Sequence, residues 1–251
     1  MKQNIKAVLF DLVGTLIYVK ESVGIVYSNI ASGFGLMVDP KELEESFQIA
    51  IHKFPHASGG EKEERNWWKK IVYETFKLCG VDLDVDIECM ELVHKTKSNK
   101  LFNNIFESLY GEFAKKSVWA IYPDVIPTLE KLSGVGAYCN TPLQIGLISN
   151  FDNRLETILN ELDLKKYFHC LSYSGKVGFS KPDPRIFQFA LKELNVLPEE
   201  TIYIGDSLDS DYYPALNLNI NAVLINRERK EISPDIKSVS SLEQIFDFLE
   251  V

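Results

Sequence analysis

Beyond residue 122 the chain alternates short apolar runs with amphipathic stretches, and this alternation constrains the fold more than any other feature. The apolar runs lie at residues 145–148, 170–171, 202–204 and 222–225. Stretches of helical character separate them at residues 153–162, 184–195 and 211–217. Strands that alternate with helices in this way predict a parallel sheet covered by helices on both faces.

A further apolar run, AVLF at residues 7–10, leads directly into DLVGTL at residues 11–16. A short apolar run that ends at a turn signal is typical of a buried strand, and Gly14 allows the backbone to turn sharply after it. Asp11 is therefore predicted to stand at the end of a buried strand. A carboxylate held there can act as a nucleophile and form a covalent intermediate that water later cleaves.

Residues 20–115 break the alternation because they read as almost wholly helical. Asp39 and Pro40 predict the cap and first turn of one helix, and a third helix of the region is predicted over residues 86–96. We therefore expect a doubly wound, Rossmann-like α/β core formed by residues 1–17 and 119–251. Residues 18–118 would form an inserted, mostly helical cap over the carboxyl edge of its sheet.

Composition limits the partners that such a protein can have. A formal charge of -9 argues against nucleic acid, whose phosphates demand a basic surface. The N-terminal apolar stretch is too short for a signal peptide, and no run approaches the length of a membrane span. The four cysteines lack paired spacing, which favours reduced thiols. We expect a soluble cytoplasmic protein that binds a small molecule rather than nucleic acid or a membrane; the sequence leaves its oligomeric state open.

Four predicted strands are each followed by residues suited to phosphate chemistry. Asp11 follows the first strand, Ser149 and Asn150 follow the run IGLI, Lys181 lies in the loop after the next strand, and Asp206 follows the run IYI. The carboxyl ends of parallel strands share one edge, so these residues should converge.

The convergent residues each suit one task in phosphoryl transfer. Asp11 would be the nucleophile, and Ser149 and Asn150 would donate hydrogen bonds to phosphate oxygens. Lys181 would supply positive charge, and Asp11 with Asp206 would hold Mg²⁺, which prefers oxygen ligands. Positioning and charge neutralisation are the main work of this reaction. The expected substrate is therefore a small phosphorylated molecule.

The order of these motifs resembles the haloacid dehalogenase superfamily, whose signature is Asp-x-Asp-Gly-Thr, then Ser or Thr, then Lys, then Gly-Asp-x-x-x-x-Asp. The chain carries DLVGT at 11–15, ISN at 148–150, KPDP at 181–184 and GDSLDSD at 205–211. Within the superfamily, it is similar to the group called haloacid dehalogenase-like hydrolase domain-containing protein 3. That similarity rests on SNFDNRLE at 149–156, KPDPRIFQ at 181–188 and the pair WW at 67–68.

The resemblance implies a Mg²⁺-dependent hydrolase that works through an aspartyl-phosphate, with one departure at Val13. In phosphatases of the superfamily this position is an aspartate that protonates the leaving group, while its backbone carbonyl binds the metal. Val13 keeps the carbonyl and lacks the acid. The implied metal ligands are Asp11, the Val13 carbonyl and Asp206, with Asp211 as an orienting or water-mediated ligand. General acid–base catalysis is worth about 10²–10⁴ in rate, so we expect slow turnover of sugar phosphates and faster turnover of activated phosphates.

Two other functions remain open on the sequence. Dehalogenases of the superfamily also lack an acid at the position of Val13, and their aspartate attacks carbon without a metal. They lack the Gly-Asp signature that residues 205–206 provide here. The third possibility is a phosphate- or metabolite-binding module or scaffold protein that has lost catalysis.

Some polar residues near the motifs are expected to have structural roles. Asp183 before Pro184 predicts a helix cap, and Asp209 is expected to be a solvated loop residue. Lys176 is the alternative to Lys181 should the loop register differ.

Two features of the predicted cap are also expected to be structural. Adjacent helix positions point about 100° apart, so at most one of Trp67 and Trp68 should face a cleft. Packing is the expected role of both. The acidic run at residues 61–64 is predicted to be solvated surface.

Overall fold

The computed structural model describes residues 5–56, 58–81, 83, 97–135 and 143–249. Its main sheet has six parallel strands, and a separate antiparallel pair is formed by Ile17–Val19 (β2) and Trp119–Ile121 (β3). The strands of the main sheet are Ala7–Phe10 (β1), Gln144–Ser149 (β4), Cys170–Tyr173 (β5), Thr201–Gly205 (β6), Asn221–Ile225 (β7) and Ser238–Val239 (β8). Their order across the sheet is β5-β4-β1-β6-β7-β8.

Helices connect these strands and cover the sheet. Before β3 they are Val23–Ser32 (α1), Pro40–Lys53 (α2), Glu61–Leu78 (α3) and Lys97–Glu112 (α4). After β3 they are Val125–Val135 (α5), Arg154–Glu161 (α6), Ser174–Val177 (α7), Pro184–Leu194 (α8), Tyr213–Asn217 (α9) and Phe246–Leu249 (α10), with a π-helical turn at Leu208–Tyr212. None of the helices in the described ranges is long and apolar enough to cross a membrane.

The central strand β1 explains why helices lie on both faces. All four of its residues are fully buried. Val8 and Phe10 pack into one apolar cluster with residues of α5 and α6. Ala7 and Leu9 point to the opposite face and pack with residues of α8 and α9. The predicted doubly wound α/β fold is confirmed, and each predicted strand is present within one or two residues. The short strands β2, β3 and β8 were not predicted.

The helices between β2 and β3 bury an apolar cluster of their own. Tyr27 of α1, Leu43 of α2 and Phe76 of α3 are its centre, each 2% exposed or less. The predicted cap of α2 is present, because the Asp39 carboxylate accepts the Lys41 backbone N–H at 2.8 Å. The helix predicted over residues 86–96 lies outside the described residues.

The acidic run at residues 61–64 forms the first turn of α3, and it is less exposed than predicted. Lys62 and Glu63 are exposed, but Glu64 is fully buried. Glu61, on the same side of the helix, accepts the Asn153 backbone N–H through Oε2 at 3.0 Å. The prediction was wrong for these two residues because α3 begins against α7 and the segment after β4. Burial, the largest influence, raises the pKa of Glu64 to about 8.

This buried carboxyl should make stability depend on pH. The pKa of Glu64 rises from 4.5 to about 8 on folding, so the folded chain binds more protons in that window and loses stability as pH rises through it. Glu64→Gln should remove this loss. The difference in free energy of unfolding between Glu64→Gln and wild type should therefore favour the variant more at pH 8.5 than at pH 5, by about 1 kcal/mol or more. Urea denaturation at both pH values measures the difference.

The exposed neighbour Glu63 provides the matched control. Glu63→Gln should follow the wild-type profile at both pH values, because its side chain is solvated. A Glu64→Gln variant whose stability falls with pH as steeply as wild type would contradict the assignment.

Candidate active site

Asp11 stands where β1 ends, between the two strands that flank it. Its backbone N–H donates to the Ile204 carbonyl of β6 at 2.8 Å, and its side chain lies 8% exposed. Because β4, β1 and β6 are parallel neighbours, the residues that follow them meet at one edge of the sheet. The predicted convergence depends on this pairing.

The Lys181 ammonium group is the centre of the buried network at this edge. It donates to Asp11 Oδ1 at 2.6 Å and to Asp211 Oδ1 at 2.6 Å. It also lies 3.1 Å from the Tyr203 hydroxyl, which donates to Asp211 Oδ1 at 2.7 Å. Burial alone would lower the pKa of Lys181, but the two carboxylates outweigh it and raise the pKa well above its ordinary value. The lysine is therefore cationic at neutral pH.

Three carboxylates lie close together near the Lys181 ammonium group. Asp11, Asp206 and Asp211 each offer an oxygen within 4.8 Å of the others. Burial raises the pKa of Asp11 to about 6, against the lowering effect of Lys181. Burial of the Asp206 carboxylate by the surrounding protein, and then the charge of Asp11, raise the pKa of Asp206 to about 7. Part of the Asp206 residue is nevertheless exposed to solvent. The donor set fits a hard divalent cation, which prefers carboxylate oxygens and water.

Two glycines allow the carboxylates to come this close. Gly14 has a positive φ of 87°, and a Cβ there would lie 2.2 Å from Asp206 Oδ2. A Cβ on Gly205 would lie 2.3 Å from Asp211 Cγ. Any side chain at either position would collide with a carboxylate of the site. The glycines of the two motifs therefore have a steric role as well as a conformational one.

The residues that follow β4 hold the lysine loop. Asn150 Nδ2 donates to the Lys181 carbonyl at 2.9 Å, and Asn150 Oδ1 accepts the Lys181 backbone N–H at 2.6 Å. The carboxamide thus fixes the backbone of Lys181, a role that the sequence did not predict. Ser149 is the buried last residue of β4. Donation by Ser149 and Asn150 to a phosphate stays a prediction.

Asp183, Lys176 and Asp209 lie outside the hydrogen-bond network around the Lys181 ammonium group. Asp183 accepts the Arg185 backbone N–H at 2.9 Å and caps α8. Lys176 is exposed and donates to the Leu171 carbonyl, so Lys181 is the lysine that reaches Asp11. Asp209 is exposed.

Tyr203 is the residue that the sequence reasoning missed. It is fully buried in β6, and its hydroxyl completes the network around Asp211. A signal was present in the sequence, because a buried tyrosine needs a partner for its hydroxyl. Here the tyrosine lies between two isoleucines just before Gly205 and Asp206.

A cavity of about 720 Å³ adjoins this network, and we call it the aromatic cavity. It is bounded at one end by Val13, Asn150 and Asp206, and both Trp67 and Trp68 line it. The expectation that at most one tryptophan faces a cleft was wrong. The two rings meet edge to face with centroids 4.7 Å apart, because indole side chains are long enough to reach one cavity from adjacent positions.

Comparison with known proteins gives consistent matches. A family model described as haloacid dehalogenase-like hydrolase matches residues 5–218. The haloacid dehalogenase-like hydrolase domain-containing protein 3 of Danio rerio is 31% identical over 235 residues, which cover 91% of this chain and 88% of that protein. A HAD phosphatase structure from Thermococcus onnurineus superposes with a TM-score of 0.64 at 25% identity, covering 98% of both chains. A 2-haloacid dehalogenase structure from Pseudomonas syringae pv. Tomato DC3000, at 21% identity, has a TM-score of 0.61 over 98% of both chains and shows the fold alone.

The ion network should be measurable in stability. Lys181→Met leaves Asp11 and Asp211 buried without their cation, and breaking such a pair costs about 3–5 kcal/mol. The loss should be larger at pH 8 than at pH 5, since the stranded carboxyls can bind protons at the lower pH. Urea denaturation in the presence of EDTA measures it. Lys176→Met, at the exposed lysine, should change stability by less than about 0.5 kcal/mol; equal losses in the two variants would contradict the network.

Proposed function

The chain belongs to the haloacid dehalogenase-like hydrolases, and on that premise we propose that it is a Mg²⁺-dependent phosphatase acting on a small phosphorylated molecule. The observation that carries the proposal is the bridge from Lys181 to Asp11 and Asp211, with Asp206 within ligating reach. This arrangement sets one nucleophilic carboxylate beside one fixed cation. It also leaves an excess of negative charge that suits a divalent metal.

In the proposed reaction Asp11 is the nucleophile. Lys181 holds Oδ1, so Oδ2 is the oxygen that attacks phosphorus. The bond from phosphorus to the leaving oxygen breaks, and the leaving group departs with the electron pair of that bond. Water then attacks the phosphorus of the aspartyl-phosphate, which releases phosphate and restores the Asp11 carboxylate. Ser149 and the backbone of Asn150 would hold the non-bridging oxygens.

The proposed metal ligands are Asp11, the Val13 carbonyl and Asp206, with Asp211 as an orienting residue. Their fit rests on the carboxylate oxygens that lie within 4.8 Å of one another and on the steric room that Gly14 leaves beside Asp206. When bound, Mg²⁺ supplies charge neutralisation for the transferring phosphoryl group. Asp211 already accepts hydrogen bonds from Lys181 and Tyr203, which suits an indirect role at the metal.

We further propose that α1 to α4 form the cap, over residues 18–118. These helices contribute most of the aromatic side chains of the cavity beside the nucleophile. A cover of this kind excludes water and selects the substrate. Val13 lies 37% exposed at the floor of the cavity and offers no proton to a leaving group. Substrates with good leaving groups are therefore favoured.

The apolar side chain of Val13 is also compatible with two other functions, that of a dehalogenase and that of a binding protein without catalysis. A dehalogenase would act on a 2-halo acid with or without metal, and a binding protein would act on none of these substrates. Turnover of acetyl phosphate, 4-nitrophenyl phosphate and 2-chloropropionate, each with Mg²⁺ and with EDTA, separates the three. The phosphatase proposal requires phosphate release that EDTA abolishes and no chloride release.

Removal of the nucleophile gives the first test of mechanism. Asp11→Asn should lower phosphate release from acetyl phosphate by about 10³ or more, because an amide oxygen is a poor nucleophile. Asp209→Asn, at the exposed aspartate of the Asp206 loop, should keep wild-type activity. Release by Asp11→Asn at the wild-type rate would show that another nucleophile or a contaminant is responsible.

A second test of the mechanism introduces an acid at position 13. Val13→Asp should raise turnover of sugar phosphates by about 10-fold to 100-fold and change acetyl phosphate turnover little, because only the poor leaving group needs the proton. The partial exposure of position 13 lets the new carboxyl be solvated. Val13→Asn has nearly the same shape and no acidic proton, so it should show no gain. A Val13→Asp variant that gains nothing on sugar phosphates would mean that the pocket limits the rate.

A further inference from the structure

The aromatic cavity opens onto the site at the point where a leaving group would emerge. Val13, Gly14 and Asp206 belong both to the site and to the cavity lining. The volume of about 720 Å³ lies within the range of small-molecule pockets. A phosphoryl group at Asp11 would thus have its ester substituent directed into this space.

The walls of the cavity are dominated by rings. Aromatic side chains come from the helices before β3, from β3 and from the segment after β4; among them are Trp67, Trp68, Phe106, Tyr110, Trp119 and Phe151. Trp119 meets Phe151 edge to face with centroids 6.1 Å apart. Ring edges and faces arranged in this way favour a flat apolar guest, which gains contact area and aromatic pairing.

Two charged side chains on the cavity walls, Arg154 and Glu44, already have partners within the protein. The Arg154 guanidinium donates to Asp152 from Nε to Oδ1 at 2.8 Å and from Nη2 to Oδ2 at 2.6 Å, and it lies 3.6 Å from the Tyr110 ring centroid. Glu44 accepts the Gly24 backbone N–H at 2.7 Å. Sugar hydroxyls that left water for walls dominated by aromatic rings would find fewer hydrogen-bond partners there than in water.

The chemistry at position 13 points independently to the same class of substrate. Without an acid from Val13, the leaving oxygen must depart as a stable anion. A phenol has a pKa of about 10, as tyrosine does, whereas the hydroxyl of a sugar is far less acidic. Aromatic and enolic alcohols can therefore leave without an acid from the protein, and their flat apolar parts also fit the aromatic walls.

We propose that the substrate is a monophosphate ester of an aromatic or enolic alcohol, whose flat apolar part occupies the aromatic cavity. This inference rests on the proposed phosphatase function and names its substrate class. The cavity then serves as the leaving-group site.

The test separates ring burial from leaving-group strength. Phenyl phosphate and 2-naphthyl phosphate have leaving groups of nearly equal acidity, but the naphthyl ester has an additional ring to bury. The wild-type kcat/KM for the naphthyl ester should exceed that for the phenyl ester by about tenfold. Glucose 6-phosphate should be the poorest substrate, and acetyl phosphate reports on the phosphatase reaction without any ring.

Variants locate the effect in the cavity. Trp68→Ala should bring the naphthyl-to-phenyl ratio toward one, whereas Lys70→Ala, at an exposed position of the same helix, should keep it. Equal wild-type rates on both esters, with acetyl phosphate still turned over, would overturn the inference and leave the proposed function standing. Absence of phosphate release from every ester and from acetyl phosphate would overturn both. The wild-type ratio decides the matter even if Trp68→Ala fails to fold.

Discussion

The buried ammonium group of Lys181 joins three strand ends that are distant in the chain. It binds Asp11 after β1 and Asp211 after β6, while Asn150 after β4 holds its backbone. An unpaired charge at this depth would cost several kcal/mol, so the lysine is tolerated only where both carboxylates reach it. The parallel pairing of β1 with β4 and β6 brings them there. The geometry of the site is therefore a consequence of strand order, and a side-chain network then fixes it.

Charge balance at the site connects the fold to the chemistry. Lys181 faces the carboxylates of Asp11, Asp206 and Asp211. Burial first, and then the neighbouring carboxylates, raise the pKa values of Asp11 and Asp206 to about 6 and about 7. In the proposed phosphoryl transfer an incoming phosphate would add further negative charge, which is why we propose that a divalent cation takes part. In the proposed mechanism the uncharged side chain of Val13 leaves a nucleophile and charge neutralisation, but no acid for the leaving group.

Much of this arrangement could be predicted from the sequence, because it follows from local patterns. Apolar runs gave the strands, and the rule that parallel strands share a carboxyl edge brought Asp11, Lys181 and Asp206 together. The features that were missed depend on contacts between distant segments. Glu64 is buried because α3 begins against α7, and nothing within residues 61–64 indicates that contact. Periodicity places Trp67 and Trp68 on different faces, but side-chain length lets both reach one cavity.

The proposed mechanism depends most on a covalent bond from phosphorus to Asp11. The direct measurement is to quench the protein in acid during turnover of acetyl phosphate with Mg²⁺, reduce it with borohydride and map the modified residue by mass spectrometry. We expect one reduced acyl-phosphate, at Asp11, in a fraction of the molecules. No modified Asp11 should be found when EDTA is present. Phosphate release with an unmodified Asp11, or with the modification at another residue, would contradict the account.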